Sequence, residues 1–287
     1  MPLISKFDPW KNRFCSCPPK FSLCAYTGCG HGCIYCYASS YIVDFAKPRP
    51  KNAFLERFKK EIKKISPGAT ISMANSSDPY QPLEKKLRLT RDSLKILKNI
   101  SVRILLITKS CLILRDIDII KDLPKIVICF SFTTLDKQLA KRLEPGAPEP
   151  KDRLKALSDL SRYVPTAARL DPLIWPLTTV DIAGTIRTLK NSGASQIITS
   201  TYKARPLNFN KMLQTFPEHS KLWKKIYIEE GKNMAGSLYL SENKRKELIQ
   251  EVSSAGMSEG MLFSSCREDM SNLNTASCDG QHLFDKT

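Results

Sequence analysis

Three of the ten cysteines fall within eight residues, in the run Tyr26-Thr27-Gly28-Cys29-Gly30-His31-Gly32-Cys33-Ile34-Tyr35-Cys36-Tyr37-Ala38. The spacing C-x3-C-x2-C lets the thiolates of Cys29, Cys33 and Cys36 converge on one face of a loop, and the glycines let the backbone fold tightly around what they hold. Three ligands on a four-iron cluster leave one iron open, and an open coordination position is what metal chemistry needs. Zinc is the competing occupant, with Cys29, Cys33, Cys36 and either His31 or Cys24 as a tetrahedral set. Burial as small apolar residues suits Cys111 and Cys129, which lie in or near apolar runs, but does not explain a glycine-flanked triplet.

Four more cysteines stand at the ends of the chain: Cys15 and Cys17 before the triplet, Cys266 and Cys278 far beyond it. Cytosolic cysteines in loops usually have a metal or redox role. If the termini meet, these four form an auxiliary site, either a second iron–sulfur cluster or a zinc; Cys24 is the alternative fourth ligand. The competing reading is a scatter of unpaired thiols.

The elements that position such groups are legible in the hydrophobic pattern. Short β-rich runs at 69–74, 102–108, 126–132, 166–170 and 196–200 alternate with helical patterns at 88–99, 113–122, 135–143, 152–162 and 179–191. A sixth strand is expected at 21–26. Strands separated by helices imply parallel βα units with right-handed crossovers. Six units fit an open, partial (βα)6 barrel within an α/β fold. Reactive residues then belong at the C-terminal ends of the strands, where the sequence carries Asn75-Ser76-Ser77-Asp78, Thr108-Lys109-Ser110, Ser131-Phe132-Thr133-Thr134, Arg169-Leu170-Asp171 and Ser200-Thr201-Tyr202-Lys203. The division expected is an N-terminal extension over 1–22, a barrel over 23–215, and a C-terminal extension over 216–287, helical to about 255 and irregular after it.

The chain has 287 residues, with 45 basic and 28 acidic side chains and a formal charge of +17. That length buries a core without disulfide staples. The cysteine content is too low for a disulfide scaffold, which points to a reducing cytosol. Prolines and charges interrupt the first ten residues, so no signal peptide is expected there. The most apolar stretch, 102–114, is broken by Arg103 and Lys109 and is too short for a bilayer span. The charge favours a polyanionic partner. Phe54, Leu55, Phe58, Ile62 and Ile65 form a helical stripe whose basic opposite side reads as a solvated face rather than a nucleic-acid contact.

The triplet, with an aromatic residue directly before its last cysteine, resembles the cluster loop of the radical S-adenosylmethionine (SAM) superfamily. The segments Ser76-Ser77-Asp78-Pro79-Tyr80-Gln81-Pro82, Thr108-Lys109-Ser110, Arg142-Leu143-Glu144-Pro145 with Arg153-Leu154, and Arg169-Leu170-Asp171-Pro172-Leu173-Ile174 extend the resemblance, in order, to the spore photoproduct lyase-like (DNA repair photolyase-like) branch. The resemblance implies a partial barrel of the radical SAM type. It also implies a 4Fe-4S cluster on Cys29, Cys33 and Cys36, SAM chelated to the open iron, and an electron donor such as ferredoxin or flavodoxin. One-electron cleavage of SAM then gives a 5′-deoxyadenosyl radical that abstracts a hydrogen atom from the substrate.

Carried over by position, Ser77 and Asp78 would meet the methionine amino group, and Lys109 its carboxylate unless it is a surface lysine. Ser131 would meet the same carboxylate or the ribose, and Tyr35 would lie beside the adenine. Arg169 and Asp171 read either as ligand contacts or as an internal ion pair at the barrel mouth. The branch has a cysteine where this chain has Ser76; that cysteine returns a hydrogen atom to the product. A hydroxyl O–H is too strong for that role, so the resemblance implies another donor, with Tyr80 and Tyr202 as candidates, or a different reaction. The leading expectation is a lyase-like enzyme acting on a nucleic-acid lesion or base, with Lys85, Lys86, Arg88, Lys203 and Arg205 on phosphates. The alternatives are a radical SAM enzyme modifying RNA, a peptide or a metabolite, and a non-enzymatic metal-stabilised nucleic-acid-binding protein.

Overall fold

The computed structural model describes residues 2–7, 14–73 and 76–285. Its centre is one eight-stranded sheet in the order β1 (Ile4–Lys6), β2 (Phe21–Leu23), β3 (Thr70–Met73), β4 (Arg103–Thr108), β5 (Ile126–Phe132), β6 (Thr166–Leu173), β7 (Gln196–Thr201) and β8 (Leu262–Ser265). β1 pairs antiparallel with β2, and every later pairing is parallel. Six of the parallel strands are those expected from the hydrophobic runs. Ala74 and Asn75, at the end of the second run, lie outside the described residues.

Between the strands lie α1 (Phe54–Glu61), α2 (Leu89–Leu97), α3 (Lys137–Leu143), α4 (Pro150–Ser161), α5 (Ile182–Asn191), α6 (Pro206–Thr215) and α7 (Glu242–Ser258). The helix expected over 113–122 is divided into a 3-10 turn, Cys111–Asp116, and a short α-helix, Ile117–Ile120. On α1 and its 3-10 continuation, Phe54, Phe58 and Ile62 are buried while Lys59, Lys60, Lys63 and Lys64 are exposed, as the stripe required. Every residue of β5 is buried, because helices cover one face of the sheet and the inside of the open barrel lies against the other.

The C-terminal segment differs from its sequence reading. Beyond α7 the chain re-enters the sheet as β8, with Leu262 to Ser265 in parallel register against Gln196 to Thr199. The last described residues then turn underneath: Leu283 and Phe284 pack on Leu105, Val127, Cys129, Ala167 and Ile198. These five are inward-facing residues of β4 to β7, so the tail stoppers the bottom of the barrel with an apolar layer. Two-residue periodicity then places Ile107, Lys109, Ser131, Arg169, Asp171 and Ser200 above that layer, toward the mouth. The sheet does not close: among the described residues no ladder joins β1 to β8. No described helix is long and apolar enough to cross a membrane.

Candidate active site

The cluster loop leaves β2 through a small ribbon, Tyr26–Thr27 against Arg49–Pro50, and ends in a 3-10 turn at Tyr37–Ser40. Gly28 has φ +79°, and a Cβ there would stand 2.5 Å from the Phe45 carbonyl oxygen, so a side chain is excluded on both counts. That same carbonyl accepts the Cys29 N–H at 3.0 Å. The loop is gripped from two sides. From the segment after β3, Ser77 Oγ donates to the Gly28 carbonyl at 2.6 Å, Gln81 Nε2 donates to it at 3.1 Å, and Gln81 Oε1 accepts the Gly30 N–H at 2.8 Å. From the segment after α3, the Gly146 N–H donates to the His31 carbonyl at 2.8 Å, and the Ile34 N–H donates to the Leu143 carbonyl at 3.0 Å. Ser77 therefore acts here as a brace of the loop.

Cys29, Cys33 and Cys36 line one cavity of about 230 Å³ together with His31, Tyr35, Ser76, Asp78, Lys109, Ser131, Arg169, Asp171, Tyr202 and Cys266. Burial pushes all three thiols up, Cys29 to about 12 with Asp78 adding to the effect, and Cys33 further still with Glu144 adding. Three thiolates in so dry a place require a cationic group between them, and a metal cluster supplies it by displacing their protons. The donor set fits a 4Fe-4S cluster. The tetrahedral zinc alternative with His31 would have to break the Nδ1 contact to the Gly146 carbonyl at 3.2 Å or draw Nε2 away from Asp78 Oδ2 at 3.3 Å. Cys24 instead lies with its Sγ 3.9 Å from Ser76 Oγ.

Asp78 is the hub of the β3 and β4 ends. Its Oδ1 accepts from the Tyr80 N–H at 2.8 Å and from Thr108 Oγ1 at 2.7 Å, and its Oδ2 accepts from the Lys109 N–H at 2.7 Å. Burial alone would raise this carboxyl, but His31 and these donors hold it below the usual carboxylate range. It faces the cavity as an anion.

The larger network was hidden in the sequence. Glu144 lies fully buried beneath the cavity, with Arg153 Nη2 at 2.5 Å and Lys109 Nζ at 3.7 Å. Thr133 Oγ1 donates to it at 2.8 Å, and the Tyr35 hydroxyl donates as well. Burial would raise Glu144, yet Lys109 and Arg153 hold it down to about 2. Lys109 is thus an interior lysine rather than a surface one, fixed over the Tyr35 ring at 5.8 Å. Arg169 and Asp171 form an ion pair of 2.7 Å at the barrel mouth, with Ser200 Oγ on the other Asp171 oxygen at 2.5 Å. Both still line the cavity, so the pair is internal and ligand-facing together.

The two tyrosines part ways. Tyr80 is fully buried, and its phenol donates to Asp116 Oδ2 at 3.0 Å, within a cluster of Arg91, Arg115 and Glu84 outside the cavity wall. It is withdrawn from the site, which corrects its candidacy as a hydrogen donor. Tyr202 lines the cavity, its hydroxyl donating to Asn208 Oδ1 at 2.8 Å while Asn208 Nδ2 donates to the Tyr35 carbonyl at 2.9 Å. Among the basic residues, Lys85, Lys86 and Arg88 are exposed and Arg205 half-buried. Lys203 is buried, pairs with Glu268 at 3.4 Å and also lines the cavity.

Sequence reading also missed Gln81 and Asn208, buried amides that fix the loop and the aromatic wall. Asn208 reads only as an ordinary polar residue, whereas Gln81, Glu144 and Arg153 stand inside the family-like segments, which is the usable signal for them.

An open parallel barrel whose mouth gathers three ligating thiols, a carboxylate and an interior lysine defines a site for a metal cluster with a charged small-molecule partner. Residues 23–174, 152 of the 287, match the Radical SAM superfamily, and the chain belongs to it. Members use a 4Fe-4S cluster and SAM, and membership favours the enzyme readings over the non-enzymatic one. An uncharacterized protein of Methanocaldococcus jannaschii is 32% identical over 167 residues, covering 56% of this chain and 63% of that protein. The chain thus spans a little under two thirds of that relative. An uncharacterized protein of Acidianus two-tailed virus is 26% identical over 71% of this chain and 72% of its own. Among solved structures, a spore photoproduct lyase variant with bound AdoMet and dinucleoside spore photoproduct superposes with TM-score 0.67 at 16% identity, covering 85% of this chain and 75% of its own. SuiB of Streptococcus suis bound to S-adenosylmethionine superposes with TM-score 0.57 at 12% identity, over 85% of this chain and 50% of its own. At these identities the likeness is one of fold.

Proposed function

We propose that this radical SAM enzyme acts on a lesion or modified base in nucleic acid, with a lyase-like outcome. The observation that carries the reading is the cavity itself, which joins the three thiols to Asp78, Lys109, the Arg169–Asp171 pair and Tyr202 at one mouth. When bound, the cluster and SAM supply one-electron cleavage of the sulfonium and so the hydrogen-atom abstraction. The chain's own residues do the rest. Cys29, Cys33 and Cys36 anchor the cluster. Ser77 and Gln81 hold the loop at fixed height, and Asp78 presents a negative charge to an ammonium group. Burial alone would lower Lys109, but Glu144, Cys33 and Asp171 together keep it charged, and it presents a positive charge to a carboxylate. Tyr35 and Ser131 flank the space left for the nucleoside, and the buried walls keep water away from a reactive carbon centre.

Two observations support a nucleic-acid substrate. The formal charge of +17 favours a polyanion, and the fold-mate named above binds a dinucleoside lesion. Ser76 has no S–H to return a hydrogen atom, so the donor assigned is Tyr202, whose hydroxyl stays protonated because burial pushes it well up. Reduced enzyme with SAM and an electron donor of the ferredoxin or flavodoxin class is expected to remove a photoproduct from ultraviolet-irradiated DNA, followed by mass spectrometry. Binding to that DNA is expected to weaken steeply with added salt. Unchanged photoproducts in duplex and single strands, with salt-insensitive binding, would move the substrate to RNA, a peptide or a metabolite.

A further inference from the structure

We propose that Cys15, Cys17, Cys266 and Cys278 form a four-thiolate site for a single zinc ion that clasps the two ends of the chain across the open edge of the barrel. The first pair lies shortly before β2, Cys266 directly follows β8, and Cys278 stands in the tail that stoppers the barrel. All four nevertheless line one cavity of about 380 Å³. Cys278 Sγ donates to Cys17 Sγ at 3.2 Å, across 261 positions of sequence. Cys15 lies within electrostatic reach of Cys17, and Cys266 within reach of Cys15 and Cys278.

One thiol turned onto another, with two more lining the same cavity, makes a ligand set rather than a scatter. With metal–sulfur bonds of about 2.3 Å, two ligands of one tetrahedral ion stand roughly 3.8 Å apart. The Cys17–Cys278 separation of 3.2 Å falls short of that value but is well beyond a bonded S–S distance. A disulfide needs about 2.05 Å between sulfurs, and two thiols alone would satisfy it. The ligands of an iron–sulfur cube sit on separate irons and stand wider apart. Among the described residues no three ligating side chains are already drawn around a single ion. Cys17 and Cys278 are the close pair, and loading the ion would require the Cys15 and Cys266 side chains to turn toward it. Four thiolates around a divalent ion carry an excess negative charge. Lys20, buried and hydrogen-bonded to Cys17, faces that charge and is itself held by Asp279 at 2.5 Å.

The clasp has a consequence for the reaction cavity. Cys266, Ser76, Arg169 and Asp171 line both spaces, as does Tyr37 at the end of the cluster loop, so the ion would fix part of the substrate wall. The inference does not depend on the substrate assigned above.

The test is metal content. The full chain, purified anaerobically, is expected to hold about one zinc per molecule besides its iron, bound tightly enough to survive gel filtration. Cys29→Ala/Cys33→Ala/Cys36→Ala should lose the iron and keep the zinc. Cys17→Ser/Cys278→Ser should lose the zinc and keep the iron and its absorbance. If that pair fails to fold by circular dichroism, Cys15→Ser should retain zinc but release it to a chelator at least about tenfold faster. Zinc absent from the wild-type chain, zinc unaffected by these serines, a Cys17–Cys278 disulfide in peptide mass spectra, or an iron–sulfur absorption that vanishes with this pair would each overturn the proposal.

Discussion

Cys33→Ala, purified anaerobically and reconstituted with iron and sulfide, is expected to release 5′-deoxyadenosine from SAM at least about a thousandfold more slowly than the wild-type chain, a barrier increase of roughly 4 kcal/mol. Cys33 lies between the other two thiols in the loop, and all three open on the same cavity. Removing it leaves two anchors for a cluster that needs three, while the folded frame stays intact, because the loop is held by backbone and by Ser77, Gln81 and Gly146 rather than by sulfur. Cys111→Ala is the matched control. Cys111 is half-buried against the core and absent from the cavity lining, so its loss should leave cleavage unchanged. Cleavage by Cys33→Ala at the wild-type rate would remove the assigned ligand set.

The second large effect belongs to stability. Glu144→Gln is expected to cost about 3–5 kcal/mol at neutral pH, because it strips the counter-charge from the fully buried Arg153 and the mostly buried Lys109. Arg153 and Glu144 are each 1% exposed at the side chain. The sign of the pH dependence follows from the carboxyl. Its folded-state value, about 2, lies below its ordinary 4.5, so its contribution is fully present above the ordinary value and is lost as pH falls through the folded one. Denaturant melts should therefore show the wild-type advantage at pH 7 and its shrinkage between about pH 5 and pH 2. A Glu144→Gln chain as stable as wild type at pH 7 would mean that Lys109 and Arg153 find other partners. Because Lys109 also loses its tether, SAM affinity should weaken in parallel.

These two positions mark what can and cannot be read from a sequence of this kind. Cys29, Cys33 and Cys36 are close in the chain, so their spacing alone announces a ligand set. The strands are as plain: Ile126 to Phe132 is an apolar run interrupted only by Ser131, and the strand has those same ends. Glu144 is another matter, since its partners are Tyr35, Lys109, Thr133 and Arg153, which only the folded sheet brings together. Leu262–Ser265 escaped notice because four residues, half of them serine, carry no pattern; what makes them a strand is the exposed edge of β7. The tail read as irregular for the same reason, although Leu283 and Phe284 seal the barrel. Tyr80 shows the opposite error. Its place in a family-like segment suggested chemistry, and only the fold reveals that its phenol is spent on Asp116.

The most direct measurement is the fate of SAM. Wild-type chain, reconstituted anaerobically, reduced with dithionite and mixed with SAM, should be brown and should yield methionine and 5′-deoxyadenosine in equal amounts. A chain that binds no iron under those conditions and leaves SAM intact would contradict the assignment of Cys29, Cys33 and Cys36 on which the rest depends.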